Sequence, residues 1–335
     1  MGLIFSILLA IVLILIPLIG VGALGLDYLF GVVFPYAAIL IFIVGVVWRV
    51  LGWARSPVPF RIPTTCGQQK THDWIKSSTL DNPHNTWGAI KRMFLEIVFF
   101  RSLFRNSKSE LHEGPYLAHG SSKWLWIFSL AFHYSFLVVF LRHFAFFAEP
   151  VPGWVGTMQA LDGFFQVGLP VIYLTDVIII GAVGFLFLRR VMDSKLRYLS
   201  LAGDYFPLLL IFGVATSGVC LRYFAKTDIV AVKDLATGLI SLDPVVPAGI
   251  GLTFFIHLFF VTVLFAYFPF SKLMHFAGVF MSPTRNLANN NRVRRHVNPW
   301  NYPVKVHTYE EYEDEFRDVM KAAGMPLEKE ESSKE

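Results

Sequence analysis

Residues 132–144 read FHYSFLVVFLRHF, an apolar segment that nevertheless carries two histidines and an arginine. The segment lies inside an apolar block, 124–147, that is long enough to cross a bilayer, since a transmembrane helix needs about 20 apolar residues. Five further blocks have a similar length and composition: 3–22, 29–51, 163–188, 205–224 and 249–270. The sequence therefore predicts an all-α fold, a polytopic transmembrane bundle of six helices.

The composition of the whole chain agrees with a membrane protein. Of its 335 residues, 55% are hydrophobic and only 16% are charged, whereas about 25% of the residues in a soluble domain are charged. The formal net charge of +5 belongs to loops at one membrane face, so it does not indicate nucleic-acid binding. The opening MGLIFSILLA lacks the basic segment of a signal peptide, which favours a first helix that is retained.

The distribution of positive charge predicts the orientation in the membrane. Lys and Arg concentrate in the loop 52–123, in the short loop 189–197 and at the beginning of the tail 285–335. The alternate loops, which include 148–161 and 225–248, have few or balanced charges. Because cytoplasmic loops are enriched in Lys and Arg, we expect the two basic loops and both termini on the cytoplasmic side.

Five parts of the chain follow from these features: an extra N-terminal transmembrane helix (1–28), a second transmembrane helix (29–51), a cytoplasmic loop (52–123), a four-helix transmembrane core (124–284) and a cytoplasmic tail (285–335). Residues 88–104 of the loop have an apolar helical face and four charges, which favours an interfacial or partner-docking helix over a seventh span. In the tail, residues 309–326 predict one charged helix that ends near Gly324 and Pro326.

Four of the ten histidines lie in, or at the ends of, only two predicted helices: His133 and His143 in the third, His257 and His275 in the sixth. Neutral imidazole is a strong iron ligand, and haem iron takes one axial ligand on each face. The third helix runs outward and the sixth inward. Residues at the same depth in the membrane therefore form pairs: His133 with His275 on the inner side, and His143 with His257 on the outer side. We expect each pair to bind one b haem.

The spacing within each helix complicates this pairing. His257 and His275 share one face of an ideal helix and lie about 27 Å apart along it. From His133 to His143 the helix rises only about 15 Å and rotates the second imidazole by roughly 80°. Helix tilt and a kink at Pro269 must absorb the difference.

Other interpretations of these histidines stay open: proton relays in a proton-coupled transporter, ligands of a non-haem metal, or hydrogen-bonding residues of a structural anchor. A transporter predicts no haem spectrum and usually has inverted repeats, which we do not find in the sequence. A structural anchor would not explain why two histidines lie on each of only two helices. Arg142 either binds a haem propionate or extends to the membrane interface.

Three aspartates accompany the predicted core. Asp162 stands where the fourth helix is expected to begin, and it either accepts a proton or caps that helix. Asp176 is expected near the middle of the membrane, where ionisable residues are usually functional or paired, so it is a candidate for a proton path or for structural hydrogen bonds. Asp204 opens the fifth helix, and capping explains it.

Two cysteines, Cys66 and Cys220, limit the redox chemistry of the chain. The sequence has no CxxCH motif for covalent haem and no cysteine cluster for an iron–sulfur centre. Any haem is therefore non-covalent, and any iron–sulfur centre belongs to another chain. The two cysteines fall on opposite sides of the predicted membrane, so we expect no disulfide; Cys66 is either a structural loop residue or a contact to a partner's cluster.

Residues 29–285 resemble the cytochrome b family of respiratory nitrate reductase gamma subunits. The resemblance rests on histidine spacings of ten and eighteen residues and on three segments: TDVIIIGAVGFLFLRR (175–190), SGVCLR (217–222) and HFAGVFMSPTRN (275–286). It implies a dihaem cytochrome b. By analogy with the gamma subunits, the quinone pocket is expected beside the outer haem, near Arg142, His143 and Asp162.

Segments outside that core resemble the M subunits of the Dsr transmembrane complexes of sulfate- and sulfur-metabolising prokaryotes. They are the first helix, the loop RIPTTCGQQKTHDWIK (61–76) and the tail NPWNYPVKVHTYEEYEDEF (298–316). This resemblance implies two haems b, menaquinone as substrate, and a cytoplasmic iron–sulfur partner similar to heterodisulfide reductase. It also implies further membrane and periplasmic electron-transfer subunits, in a complex that serves the reduction of sulfite-derived sulfur.

A cytochrome b of a nitrate reductase or of a heterodisulfide reductase stays the alternative within this class of proteins. In each case we expect an electron-transfer subunit rather than a complete enzyme, because the sequence shows no terminal catalytic site. Electrons can pass between the quinone and the partner in either direction, and the sequence does not select one.

Overall fold

The structure, a computed structural model, describes residues 1–56, 67–114, 116–163, 171–225, 227–290, 303 and 306–328. Its first elements are α1 (Gly2–Gly20), a π-helical turn (Leu29–Val33), α2 (Phe34–Ala54), α3 (Thr86–Phe99), α4 (Arg101–Phe104), β1 (Ser107–His112) and β2 (Tyr116–Ser121). The helices that follow are α5 (Lys123–Arg142), α6 (Gly153–Asp162), α7 (Leu174–Met192), α8 (Ser194–Leu199), α9 (Ala202–Tyr223), α10 (Ile229–Ser241), α11 (Leu252–Tyr267), α12 (His275–Gly278), α13 (Pro283–Asn286) and α14 (Tyr309–Ala322).

Five helical segments are long and apolar enough to cross a membrane: Gly2–Gly20, Leu29–Ala54, Lys123–Phe146, Ala202–Tyr223 and Leu252–Phe270. They match five of the six helices that the sequence predicts. Many of their apolar side chains are exposed, for example those of Ile4, Leu8, Leu40 and Val44, as expected of helices that face lipid. A mostly helical membrane bundle is thus confirmed.

The remaining predicted helix, 163–188, corresponds to α7, which begins only at Leu174. Asp176 lies in its first turn, and Arg189 and Arg190 lie in its last turn. The uncharged run between these ends, 177–188, is shorter than the roughly 20 residues that span a bilayer. A sixth crossing therefore stays a prediction.

The packing of α7 supports that sixth crossing. Phe128, near the beginning of α5, stacks on Phe185 of α7 with ring centres 3.8 Å apart. Arg142, at the end of α5, pairs with Asp176 in the first turn of α7. The two helices are therefore antiparallel neighbours along most of their length.

The apolar core forms where α1, α7, α9 and α11 meet. Its buried side chains are Leu13, Ile179, Val183, Phe206, Leu210, Ile211, Phe260 and Leu264. At the α9–α11 contact, a Cβ on Gly213 would lie only 2.8 Å from the ring of Phe260, so a small residue permits this close approach. The extra first helix is an integral part of the bundle.

Helix α3 presents apolar side chains outward and polar ones inward. Ile90 and Phe94 are half-exposed, whereas Arg92 and Glu96 are buried. The amphipathic segment predicted over 88–104 therefore exists, although it is divided into α3 and α4. Its exposed apolar face is suited to the membrane interface or to another subunit.

Several short elements lie outside the sequence-based prediction. Strands β1 and β2 form an antiparallel hairpin in the basic loop, and α6 and α10 lie in the two loops expected on the outer side. Helix α10 begins after Asp228, whose carboxylate accepts a hydrogen bond from the backbone N–H of Val230 (2.9 Å). The two strands and α6 are too short to show a clear period in the sequence.

The charged tail helix is confirmed as α14. Thr308 and Glu311 form a capping box at its beginning, in which each side chain accepts a backbone N–H of the other residue. The helix ends at Ala322, and Gly324 follows with a left-handed backbone (φ 67°). Glycine adopts this conformation without a steric penalty, so the predicted stop signal works as expected.

Asp81 links the loop before α3 to α4 through two arginines. Its carboxylate accepts hydrogen bonds from Arg101 and lies 2.5 Å from the guanidinium of Arg105. The hydrogen bond from Arg101, assisted by Arg105, lowers the pKa of Asp81 from 3.8 to about 2. A lowered pKa stabilises the fold above the unfolded value of 3.8. This stabilisation is lost as the pH falls towards the folded value.

We therefore expect the midpoint of thermal unfolding in detergent to fall between pH 6 and pH 3, partly through Asp81. Asp81→Asn should lower the midpoint at pH 6 and leave a smaller further loss at pH 3, because the variant has no carboxylate to protonate. Equal losses on acidification in both proteins would show that Asp81 does not contribute.

Candidate functional site: two histidine pairs

Helix α5 and the α11–α12 region carry the four predicted histidines. His133 lies within α5, and His143 begins the 3-10 turn at its end. His257 lies within α11, and His275 begins α12. The structure brings them together in the predicted pairs: the ring centres are 5.8 Å apart for His133 and His275 and 6.4 Å apart for His143 and His257.

The expectation that His257 and His275 share one face of a continuous helix is wrong. Helix α11 ends at Tyr267, and Pro269 lies in a 3-10 turn. Ser271 then adopts an extended backbone (φ −112°, ψ 177°). Proline cannot donate a backbone hydrogen bond, so the helix breaks where the sequence predicts a kink, and His275 packs against His133.

The spacing of each pair fits a metal ion between two imidazoles. Metal–nitrogen bonds of about 2.0 Å, with about 1.2 Å more from each nitrogen to its ring centre, separate the ring centres by about 6.4 Å. The observed separations of 5.8 and 6.4 Å are close to this value. No group of three or more His, Cys, Asp or Glu side chains among the described residues could hold a metal ion, whereas haem needs only two axial ligands.

Hydrogen bonds at Nδ1 fix the tautomer of three of the rings. Nδ1 of His133, His143 and His275 lies 2.7, 2.7 and 3.0 Å from the carbonyl oxygens of Ser129, Val139 and Lys272. A carbonyl oxygen only accepts, so Nδ1 carries the proton and Nε2 keeps the lone pair. This arrangement is typical of histidines that bind a metal through Nε2.

Ser217 fixes His257 in the same way. Its hydroxyl donates to the carbonyl of Gly213 (2.7 Å) and so accepts from His257 Nδ1, which lies 2.9 Å away. At the next residue, Gly218, a Cβ would lie 3.2 Å from the His257 ring. Ser217 and Gly218 open the SGVCLR segment, yet the sequence alone does not identify them as supports of a ligand.

Arg142 is buried beside the His143 pair, which argues against a side chain that extends away from the protein to the membrane interface. Its side chain, 9% exposed, lies 2.8 Å from the carboxylate of Asp162 and 2.5 Å from that of Asp176. The guanidinium also lies over the ring of Tyr173, 3.8 Å from its centre. Arg142 Nε is buried and has no hydrogen-bond partner among the described residues, so binding of a haem propionate by Arg142 stays a prediction.

Asp162 ends α6 instead of beginning a transmembrane helix, which corrects its predicted position. Its carboxylate accepts hydrogen bonds from the backbone N–H and the hydroxyl of Thr175 (2.9 and 2.6 Å). Thr175 lies in the first turn of α7, so Asp162 caps that helix from a preceding segment. The predicted local cap fails because α7 begins later than its apolar sequence suggests.

Asp176 lies in the first turn of α7, not in the middle of the predicted helix 163–188, so its position near the middle of the membrane stays a prediction. One carboxylate oxygen pairs with Arg142, and the other accepts a hydrogen bond from the hydroxyl of Tyr223 (2.9 Å). Asp162 and Asp176 thus share one guanidinium at the end of the bundle that holds His143. We call Arg142, Asp162 and Asp176 the buried charge cluster.

Asp204 caps α9 as predicted, because its carboxylate accepts the backbone N–H of Leu201 (3.1 Å). It also pairs with Lys272 at 2.6 Å and so ties the segment before His275 to α9. Cys220 is a free, half-buried thiol. Cys66 lies outside the described residues, as do parts of the segments 61–76 and 298–316, so the predicted role of Cys66 stays a prediction.

The sequence matches a known family across the region that contains this site. Residues 115–296 match the family described as nitrate reductase gamma subunit, and this range includes all four histidines. It covers more than half of the chain, although it begins well after residue 29, where the resemblance is expected to start.

Two relatives extend the similarity. The chain is 44% identical over 279 residues to the Hdr-like menaquinol oxidoreductase cytochrome b-like subunit of Archaeoglobus fulgidus. The aligned region covers 81% of this chain and 83% of the relative. It is 40% identical over 273 residues to the protein of the same name from Archaeoglobus profundus, with 79% and 81% covered. By both measures, this chain belongs to the nitrate reductase gamma subunit family of membrane cytochromes b.

Proposed function

We propose that this chain is the dihaem cytochrome b subunit of a respiratory complex in a prokaryotic cell membrane. In this function it exchanges electrons between menaquinol and a cytoplasmic iron–sulfur subunit. The observation that carries the proposal is the assembly of four histidines into two pairs, each at the spacing of two imidazoles on one metal ion. The names of both relatives support menaquinol as the substrate.

Four histidines of the chain would hold and orient the two haems. His133 and His275 would hold the inner haem, and His143 and His257 would hold the outer haem. Each haem, when bound, accepts and donates one electron at a time. The Nδ1 hydrogen bonds present all four Nε2 atoms as ligands without any change of tautomer.

We propose that the quinone pocket lies beside the buried charge cluster. A quinol releases two protons with its two electrons, so its pocket needs a proton acceptor. Arg142 directly precedes His143 and holds two carboxylates with one guanidinium. We propose that Asp162 or Asp176 accepts a quinol proton there, and that Arg142 Nε binds a propionate of the outer haem.

The proposal includes the orientation of the chain and the setting of the complex. Both termini lie in the cytoplasm, which rests on the distribution of Lys and Arg. An iron–sulfur partner similar to heterodisulfide reductase, further membrane and periplasmic subunits, and a role in sulfite-derived sulfur reduction rest on the resemblance to the Dsr M subunits. A cytochrome b of a nitrate reductase or heterodisulfide reductase is the alternative. The subunits that co-purify with the chain distinguish these complexes.

The visible spectrum of the purified chain, produced with added haem, tests the proposal. Dithionite-reduced minus oxidised spectra and a pyridine haemochrome assay should give two b haems per chain, and a water-soluble menaquinol analogue should reduce at least one of them. A folded chain without haem would contradict the proposal and favour proton relays. Haem that no quinol reduces would contradict the quinone-linked function alone.

A further inference from the structure

A sharp turn between α3 and α4 reaches the inner histidine pair. Phe100 forms this turn, which we call the elbow, and its backbone is left-handed (φ 50°, ψ 46°). A bulky residue in this conformation is strained and persists only where its surroundings hold it. The carboxylate of Glu96 provides one such hold, because it accepts hydrogen bonds from the backbone N–H and the hydroxyl of Ser102.

Helix α5 fixes the other side of the elbow. The indole N–H of Trp126 donates to the carbonyl of Phe99 (2.7 Å), and the hydroxyl of Tyr134 donates to the carbonyl of Val98 (2.9 Å). Tyr134 is the neighbour of His133 in sequence, so the elbow lies well inside the length of α5. The elbow is therefore bound to the helix that carries His133.

The ring of Phe100 contacts His133 directly. The ring centres are 4.9 Å apart, and the ring planes meet at 89°. Phe132 makes a second edge contact at 4.9 Å and 71°, and Ser129 holds Nδ1. Edge-to-face contacts of this kind restrict rotation of a ring about its side-chain bonds.

The two histidine pairs differ in the angle between their rings. The planes of His133 and His275 are crossed at 87°, whereas those of His143 and His257 are nearly parallel at 17°. At the outer pair, Val139 and Ser217 hold the rings by hydrogen bonds. The closest ring described beside His143, that of Phe146, lies 5.9 Å away and is tilted by 54°.

We propose that Phe100 is a positioning residue that keeps the imidazole of His133 crossed with that of His275, so that the two haems are electronically distinct. This inference rests on the proposed dihaem function. Axial imidazoles donate into the iron d orbitals perpendicular to their own ring planes. Crossed rings leave two of these orbitals close in energy and parallel rings separate them, so residues that orient the ligands tune the metal.

Electron paramagnetic resonance of the oxidised protein tests the inference after the haem content has been measured. We expect two low-spin signals, one strongly anisotropic from the crossed pair and one rhombic from the parallel pair. Phe100→Gly removes the ring and suits the left-handed backbone, so the fold should persist while the anisotropic signal shifts. Phe100→Tyr keeps a ring and should retain both signals.

Phe104→Ala is the matched control, because Phe104 ends the neighbouring helix α4 and its ring contacts Trp126 instead of a histidine. It should leave both signals unchanged. Two signals of the same type in the wild type, or an unchanged anisotropic signal in Phe100→Gly, would overturn the inference while the haem content still supports the proposed function. Loss of the inner haem alone in Phe100→Gly would also overturn it, because the elbow would then retain haem instead of orienting His133. A chain without haem would overturn both proposals.

Discussion

Replacing Arg142 by methionine should destabilise the protein by about 3–5 kcal/mol, the cost of breaking a buried ion pair from one side. Asp162 and Asp176 would keep their negative charges in a site where their side chains are only 4% and 10% exposed. The end of the bundle where α5, α6 and α7 meet would then hold two buried carboxylates without a counter-ion. Thermal or denaturant unfolding in detergent measures this loss.

A matched control separates this effect from the loss of any ion pair. Lys233 pairs with Glu149, whose side chain is 72% exposed, so Lys233→Met should cost less than about 1 kcal/mol. The triple variant Arg142→Met, Asp162→Asn, Asp176→Asn removes the buried charges together and should recover part of the loss. Equal stability of Arg142→Met and Lys233→Met would contradict the role of the cluster.

The bundle could be predicted because its signal is local. Apolar length identifies a transmembrane helix without knowledge of its neighbours, and five of the six predicted helices are confirmed on that basis. The sixth shows the limit of this rule. Helix α7 begins at Leu174, and the apolar residues before it contribute to the sequence pattern without belonging to the described helix.

The buried charge cluster could be predicted only in part: the family resemblance places Arg142 and Asp162 at one pocket, but nothing in the sequence places Asp176 there. Arg142 and Asp176 are 34 positions apart, and no helical or strand period relates them. Taken singly, an arginine at a helix end indicates an interfacial residue and an aspartate before an apolar run indicates a cap. Only the antiparallel packing of α5 and α7 shows that Asp176 meets Arg142.

The orientation of α3, whose polar residues Arg92 and Glu96 face the protein, could not be predicted either. Its sequence separates apolar from polar residues, as predicted, but amphipathicity alone does not say which face meets the protein. In a soluble protein the apolar face would be buried. Here Arg92 and Glu96 are buried and Phe94 is exposed, an arrangement suited to a helix whose apolar side meets lipid or another subunit.

Substitution of the paired histidines should remove whole haems, and the pattern of loss should follow the pairs. His143→Ala and His257→Ala should each reduce the haem content from two to about one per chain, since we propose that these two residues hold one haem between them. The double variant His143→Ala, His257→Ala should lose no more than either single variant. The variant His133→Ala, His257→Ala takes one ligand from each pair and should lose both haems.

A pyridine haemochrome assay on the folded, monodisperse protein measures these contents. His119→Ala is the matched control, because His119 is exposed on β2 and its ring nitrogen contacts the hydroxyl of Ser109; two haems should remain. A double variant within one pair that loses both haems would contradict the assignment of ligands to pairs. If all single variants kept the wild-type content, the four histidines would not hold the haems, and their Nδ1 hydrogen bonds would instead fit a role in helix packing or proton transfer.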